Sequence, residues 1–267
     1  MKINIKLFLL FISIILISSC SDYRKILKTP GFEKKLEAAL EYYEKEEYYK
    51  SSTLFQDIKP LVKGSEKSEI VDFYFAYSLY NLKQYELSAK YFKGFIELFS
   101  RSDKVIEAEY LYAFSLYKES PNSNLDQSNT IEAINAIQSF INKYPYSEFS
   151  KGANELIDEL QIKLETKNFE NAKQYYKTRT YKSAIIALNN FENDFPDSSY
   201  NDECNYLKIV CQYLIAKNSF DDLKKERYKK VTEYYLKFVD KYPNSSFITE
   251  AEKMYVESLN LLTKFAE

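Results

Sequence analysis

One short phrase recurs along the chain, at Phe95 to Ser102, Phe140 to Ser147, Phe191 to Ser198 and Phe238 to Ser245. The last three copies share Phe-x-x-x-aromatic-Pro-x-Ser: Phe140, Tyr144, Pro145, Ser147; Phe191, Phe195, Pro196, Ser198; Phe238, Tyr242, Pro243, Ser245. Their first Phe residues lie roughly 45 to 50 positions apart, the scale of helical repeat units. The phrase has a mechanical meaning. Phe and the aromatic four residues on share one helix face. Pro then forbids continuation, because it has no N–H and its ring clashes with the preceding turn. Ser follows as a candidate N-cap for the next helix. Ser199 with Asp202, and Asn129 with Glu132, have the spacing of capping boxes. Each unit reads as stop, tight turn, start.

Small or modest residues stand seven positions before each Phe: Ser88, Ala133, Ala184 and Val231. There two helix backbones approach most closely, and a bulky side chain would push them apart. The preceding helices repeat too, Phe75-Ala76-Tyr77-Ser78-Leu79-Tyr80 paralleling Tyr112-Ala113-Phe114-Ser115-Leu116-Tyr117. This pattern resembles the tetratricopeptide repeat. Ala172, Tyr175, Tyr181, Ala184, Leu188, Phe191 and Pro196 fit it best; the missing Trp and the long spacings depart from it. The expected fold is all-α, a tetratricopeptide-like helix-pair solenoid of about five repeats. Its first unit is degenerate, around Tyr42, Tyr49, Phe55 and Pro60. Repeats 1–3 span 32–147 and repeats 4–5 span 148–267, and 148–178 reads as one long helix broken, if anywhere, at Lys167-Asn168.

Composition narrows function by exclusion. The chain holds no His, which removes Ser-His-Asp triads, Cys-His dyads and the commonest general base. Four Gly are too few for a phosphate-cradling loop. Acid pairs such as Glu107 with Glu109 read as solvated helix faces. A formal charge of −2 argues against a general nucleic-acid binder, which would want a basic face. The locally basic run Lys224 to Lys230 reads as a solvated helix start. Most of the 26 Tyr are expected to bury their rings between helices and leave their hydroxyls at the rim.

Residues 1–19 read as a secretory signal, with Lys2 and Lys6 before an apolar stretch from Leu7 to Ile17. That stretch is shorter than the roughly 20 residues a spanning helix needs. It ends Ile17-Ser18-Ser19-Cys20, which resembles a bacterial lipobox and implies that Cys20 carries covalent lipid, the only attached group expected and no other cofactor or metal. Residues 20–31 then form a polar tether. Asp22 does not occupy the second position that signals inner-membrane retention in the lipoproteins this resembles, so the outer membrane, periplasmic face, is expected. Cys204 and Cys211 lie seven apart on one helix, about 10 Å along its axis, too far for a disulfide. They read as small core residues.

The lipobox, the tether Cys20-Ser21-Asp22-Tyr23-Arg24-Lys25-Ile26-Leu27-Lys28, the insert Ser120-Pro121 followed by Leu125 to Thr130, and the repeat junctions together resemble the BamD family of outer-membrane assembly lipoproteins, in its Bacteroidetes-type form. The resemblance implies a non-enzymatic adaptor. It implies docking on the periplasmic domains of a BamA-like insertase through the C-terminal repeats, and a groove for unfolded β-barrel precursors on the N-terminal ones. Groove candidates are Tyr74, Tyr77 and Asn81 beside Leu111, Phe114 and Lys118; aromatics, an amide and a cation suit an extended peptide with aromatic side chains and a carboxylate. Arg179, Arg227, Lys229 and Lys230 are the partner-surface candidates. The competing readings are another envelope scaffold of Tol or division-associated type, a nutrient-uptake glycan-binding lipoprotein, and a helical glycan lyase, for which no stretch outside the repeats is long enough.

Overall fold

The computed structural model describes residues 22–264; the signal segment and Cys20 lie outside them. The described residues form helices throughout and no strand. After a short helix α1 (22–28) come α2 (Glu33–Glu44), α3 (Tyr48–Val62), α4 (Lys67–Asn81), α5 (Tyr85–Leu98), α6 (Val105–Glu119) and α7 (Ser128–Lys143). A 3-10 turn at Glu148–Ser150 precedes α8 (Ala153–Lys177), followed by α9 (Tyr181–Asp194), α10 (Asn201–Lys217), α11 (Asp221–Lys241) and α12 (Ile248–Lys264). Five helix pairs, α2/α3 to α10/α11, are followed by α12, which packs on α10 and α11. The chain divides into two compact units, residues 1–121 with 126–160, and residues 122–125 with 161–267. The division falls inside α8, whereas the repeat pattern places a boundary at 147/148.

The recurrent phrase builds the same corner each time. Phe95–Phe99, Phe140–Tyr144, Phe191–Phe195 and Phe238–Tyr242 pack as tilted pairs with ring centroids 5.1, 5.4, 5.3 and 5.8 Å apart. The second aromatic is the helix C-cap. At Tyr144, Phe195 and Tyr242 the backbone leaves the helical region, with ψ of 58°, 67° and 61°, because the following Pro excludes it. Ser then closes a turn. Its hydroxyl accepts from the N–H two residues on: Ser102 from Lys104 at 3.0 Å, Ser147 from Phe149 at 3.3 Å, Ser198 from Tyr200 at 3.3 Å, Ser245 from Phe247 at 3.1 Å. Ser65 does the same to Lys67 at 3.2 Å, at the junction where the phrase is absent. In four of these five junctions the Ser stands upstream of the helix proper and caps the turn that leads into it. Only Ser147 is an N-cap, of the 3-10 turn. The two expected capping boxes do not form: Asn129 lies inside α7, whose start is held by Asp126 accepting from the Ser128 N–H at 2.9 Å, and Asp202 Oδ1 is buried without a partner.

Within pairs, the small residues are buried where expected: Ser88, Ala133, Ala184 and Val231 are inaccessible to solvent. In the first unit the small positions recur every 37 residues, as Ala39, Ala76 and Ala113, Ser51 and Ser88, and Ser78 and Ser115. Ser51 donates to the Ala39 carbonyl at 2.9 Å, and Ser88 to the Ala76 carbonyl at 3.1 Å. The Ser51 and Ser78 hydroxyls lie 3.3 Å apart, as do those of Ser88 and Ser115. A hydroxyl in so close a contact satisfies itself on the facing helix and adds little volume. Pairs α2/α3, α4/α5 and α8/α9 are joined by one turn in which Glu46, Lys83 and Arg179 take φ of 60°, 59° and 62°. The N–H groups of Glu47, Gln84 and Thr180 reach back to Tyr42, Leu79 and Tyr175 carbonyls, the 6→1 bond of a Schellman cap.

Three expectations are corrected. The second helix of the first repeat, expected over roughly 47–57, continues through Pro60 to Val62 as α3, since a Pro in the last turn forfeits only one hydrogen bond. α11 begins at Asp221, so Lys224 to Lys230 lies within the helix; Asp221 and Asp222 favour the earlier start by facing its dipole. Residues 22–28, read as part of a tether, are a helix whose Tyr23, Ile26 and Leu27 pack on the first core. Cys204 and Cys211 are buried free thiols, both pushed up to about 12 by burial.

Lys83→Gly should stabilise the protein by about 1 kcal/mol, because a left-handed backbone is strained for any residue with a Cβ. Ser88→Leu should destabilise it by about 1–3 kcal/mol through overpacking. Urea unfolding with an unchanged slope checks both.

Candidate functional site: two surfaces on two helix-pair units

In the first unit α4 packs on α2 and α6 as well as on its own neighbours α3 and α5, so the leading helices of the pairs lie side by side. Their shared face carries an aromatic row. Tyr43 on α2 meets Tyr77 on α4 at 5.7 Å; Tyr77 meets Tyr80 at 6.0 Å; Tyr80 meets Phe114 on α6 at 6.3 Å; Phe114 meets Tyr110 at 5.5 Å and Tyr117 at 5.4 Å. Tyr48 and Tyr85, at the starts of α3 and α5, extend it against Tyr43 and Tyr80 at 5.5 Å each. Lys118 lies 4.8 Å from the Phe114 ring and 5.1 Å from that of Tyr117, close enough for cation–π attraction.

The polar edge is specific. Tyr117 donates to Glu159, while Asn81 stands beside the Tyr43 hydroxyl and Glu107 beside that of Tyr77. Burial raises the pKa of Tyr43, Tyr77 and Tyr110, and pushes Tyr80 up to about 12. These phenols stay protonated at any physiological pH and serve as hydrogen-bond donors.

Of the expected groove residues, Tyr77, Asn81, Phe114 and Lys118 belong to this row. Leu111 does not: it is buried in the second core with Phe73, Phe92 and Phe95. Tyr74 is wedged between Tyr43 at 4.8 Å, Phe73 at 5.5 Å and Phe55 at 6.3 Å, and joins two cores. Sequence reasoning missed Tyr43, Tyr80 and Tyr110. The signal was present, since Tyr43, Tyr80 and Tyr117 stand 37 residues apart, the period of the small positions.

In the second unit Arg179 and Arg227 line one shallow cleft of about 410 Å³ with Tyr181, Leu214, Ile215 and Asn218. Arg179 stands exposed in the α8–α9 turn, and the Arg227 guanidinium donates to Ser219. Lys229 and Lys230 are exposed and outside the cleft, Lys230 pairing with Glu226 at 3.1 Å. Glu192 of α9 ties the unit together, accepting from Lys208 at 2.6 Å, Lys241 at 2.9 Å and Asn205 at 3.1 Å. Burial alone would raise its pKa, but these donors overcome that and hold it at about 2. Among the described residues no cluster of acids and cysteines could hold a metal, and no helix is long and apolar enough to cross a membrane.

A helical-repeat fold that exposes an aromatic face and a basic cleft defines a protein–protein interaction scaffold. The chain belongs to the YfiO family of outer membrane lipoproteins, whose family model matches residues 33–175 and again 163–265. This is the family the sequence resemblance pointed to. No curated protein matches the chain. Among solved structures, the TPR2AB-domain:pHSP90-complex of yeast Sti1 is 11% identical and aligns over 85% of this chain and 97% of that one, with a TM-score of 0.38. A likeness that loose carries no argument.

Because Glu192 has a folded pKa of about 2 against an ordinary 4.5, its bonds stabilise the fold above pH 4.5. That contribution is lost as pH falls through about 2. Glu192→Gln should cost about 2 kcal/mol at neutral pH and flatten the acid limb of a stability-versus-pH curve.

Proposed function

We propose that this protein is a lipid-anchored adaptor of the outer-membrane β-barrel assembly machinery. It is held by lipid on Cys20 at the periplasmic face, docks on the periplasmic domains of a BamA-like insertase, and presents unfolded barrel precursors to it. The continuous aromatic row of the first unit carries this reading. An unfolded barrel strand is extended and alternates aromatic with polar side chains. Rings of Tyr77, Tyr80 and Phe114 offer faces and edges to its aromatics. The protonated Tyr80 hydroxyl offers a donor to its carbonyls, and Lys118 offers a cation to a terminal carboxylate. None of this requires chemistry on the bound chain, in keeping with a family of lipoproteins and a non-catalytic role.

The second unit supplies the insertase contact in this reading. Two guanidinium groups held on one cleft suit a carboxylate, which Arg binds in bidentate fashion. Lys229 and Lys230, outside the cleft, are left for the rim, where charges affect encounter rate more than affinity.

Peptides ending in the C-terminal strand of a barrel protein should bind residues 22–264 with affinity that falls about tenfold or more in Tyr80→Ala plus Phe114→Ala, near 1.4 kcal/mol per decade. Calorimetry showing unchanged affinity would remove the aromatic row from precursor binding. Arg179→Glu plus Arg227→Glu should abolish recovery of the insertase from solubilised membranes while leaving peptide affinity intact. Equal recovery would exclude the cleft.

A further inference from the structure

We infer that α1 clamps the first repeat against the lipid surface, so that the α2–α3 turn is a membrane-facing edge of the protein. The inference rests on the reading of Cys20 as the lipidated residue. Residues 22–28 do not form a free tether. Tyr23, Ile26 and Leu27 pack on the core that contains Leu36, Leu54 and Phe55. The Tyr23 ring stands edge-on to Tyr42 at 5.7 Å, and Lys50 Nζ lies 5.9 and 4.9 Å from the two rings. Thr29 closes the helix, its N–H reaching the Ile26 carbonyl at 3.0 Å and its hydroxyl the Lys25 carbonyl at 3.0 Å. Gly31, with φ of 82°, then turns the chain into α2.

α1 therefore runs back along α2, and its first residues lie beside the last turn of α2. Cys20 is two residues before Asp22, so the acyl chains enter the bilayer within about 7 Å of the helix start. A free tether of about twelve residues would instead spread over roughly 20 Å. Tyr49, beside that turn, is 70% exposed, and an amphipathic ring of this kind suits a lipid–water boundary. Glu41, Glu44, Glu46 and Glu47 outnumber Lys45 and Lys50 around it, so the contact needs no anionic headgroup. The anchor's short reach enforces it, and the matching partner is an uncharged phosphatidylcholine surface.

The test uses the full lipidated chain in phosphatidylcholine vesicles with a nitroxide at Tyr49→Cys or, separately, at Leu98→Cys. Leu98 is 72% exposed and borders the cavity at the far end of α3 with Lys63 and Gly64, about 20 Å from the turn by helix length. Cys204 and Cys211 are buried and do not compete for label. Relaxation by a lipid-bound nickel chelate should be severalfold stronger at position 49 than at 98. In Tyr23→Ala plus Leu27→Ala, shown by circular dichroism to keep its helix content, the difference should collapse. Tyr23→Phe should preserve it, since the Tyr23 hydroxyl has no partner. Equal relaxation at the two positions in the parent, with lipid on Cys20 confirmed by mass spectrometry, overturns the clamp alone. A mature protein without that lipid overturns the reading of Cys20 and the clamp with it.

Discussion

Each helix pair in this chain can approach only as closely as one buried small side chain permits, and the rest of the architecture depends on that position. Ser51, Ser88, Ala133, Ala184 and Val231 occupy it, all inaccessible to solvent. In the first unit serines serve where alanine would also fit. Each hydroxyl is spent on a facing carbonyl, which ties trailing helix to leading helix at a single register. The second serine of each relay, Ser78 or Ser115, comes from the next pair, so one contact fixes spacing both within and between repeats.

That register places the side chains of the aromatic row. With a strict 37-residue step, a tyrosine four residues beyond each buried alanine falls on the same face three times, as Tyr43, Tyr80 and Tyr117. Tyr77 and Phe114 link these rings across α2, α4 and α6, and all three are half-buried. Burial keeps the Tyr43 and Tyr80 hydroxyls protonated, which sets polar groups along an otherwise apolar strip. A surface that grips chains without a defined fold needs this combination, since aromatic faces accept many side chains and fixed donors select an extended backbone. The second unit uses a different cement. Glu192 of α9 gathers Asn205 and Lys208 of α10 and Lys241 of α11, a tie sensitive to acid in a way the serine relays are not.

The fold was legible in sequence because its punctuation is local. Pro after an aromatic, Ser two residues later and a small residue seven before Phe act within one or two turns, so α9 falls at Tyr181–Asp194 as its pattern requires. What escaped was set by longer-range contacts. Nothing local marks residues 22–28 as a docked helix; its stability comes from Tyr42, Lys50 and a core formed by residues up to 79. Leu111 and Tyr74 share a helical face with residues of the aromatic row, and only the packing of adjacent repeats decides that they point inward. Pro60 reads as a stop but lies in a final turn where its missing N–H costs little.

The central claim is that the aromatic face of the first unit holds unfolded barrel chains. Photocrosslinking in cells tests it most directly, with a photoreactive amino acid at Phe114 and, for comparison, at Ile131 on α7, which is 50% exposed in the same unit. The account predicts that position 114 captures newly exported outer-membrane β-barrel precursors and position 131 does not. Equal capture at both positions, or capture at 131 alone, would contradict it.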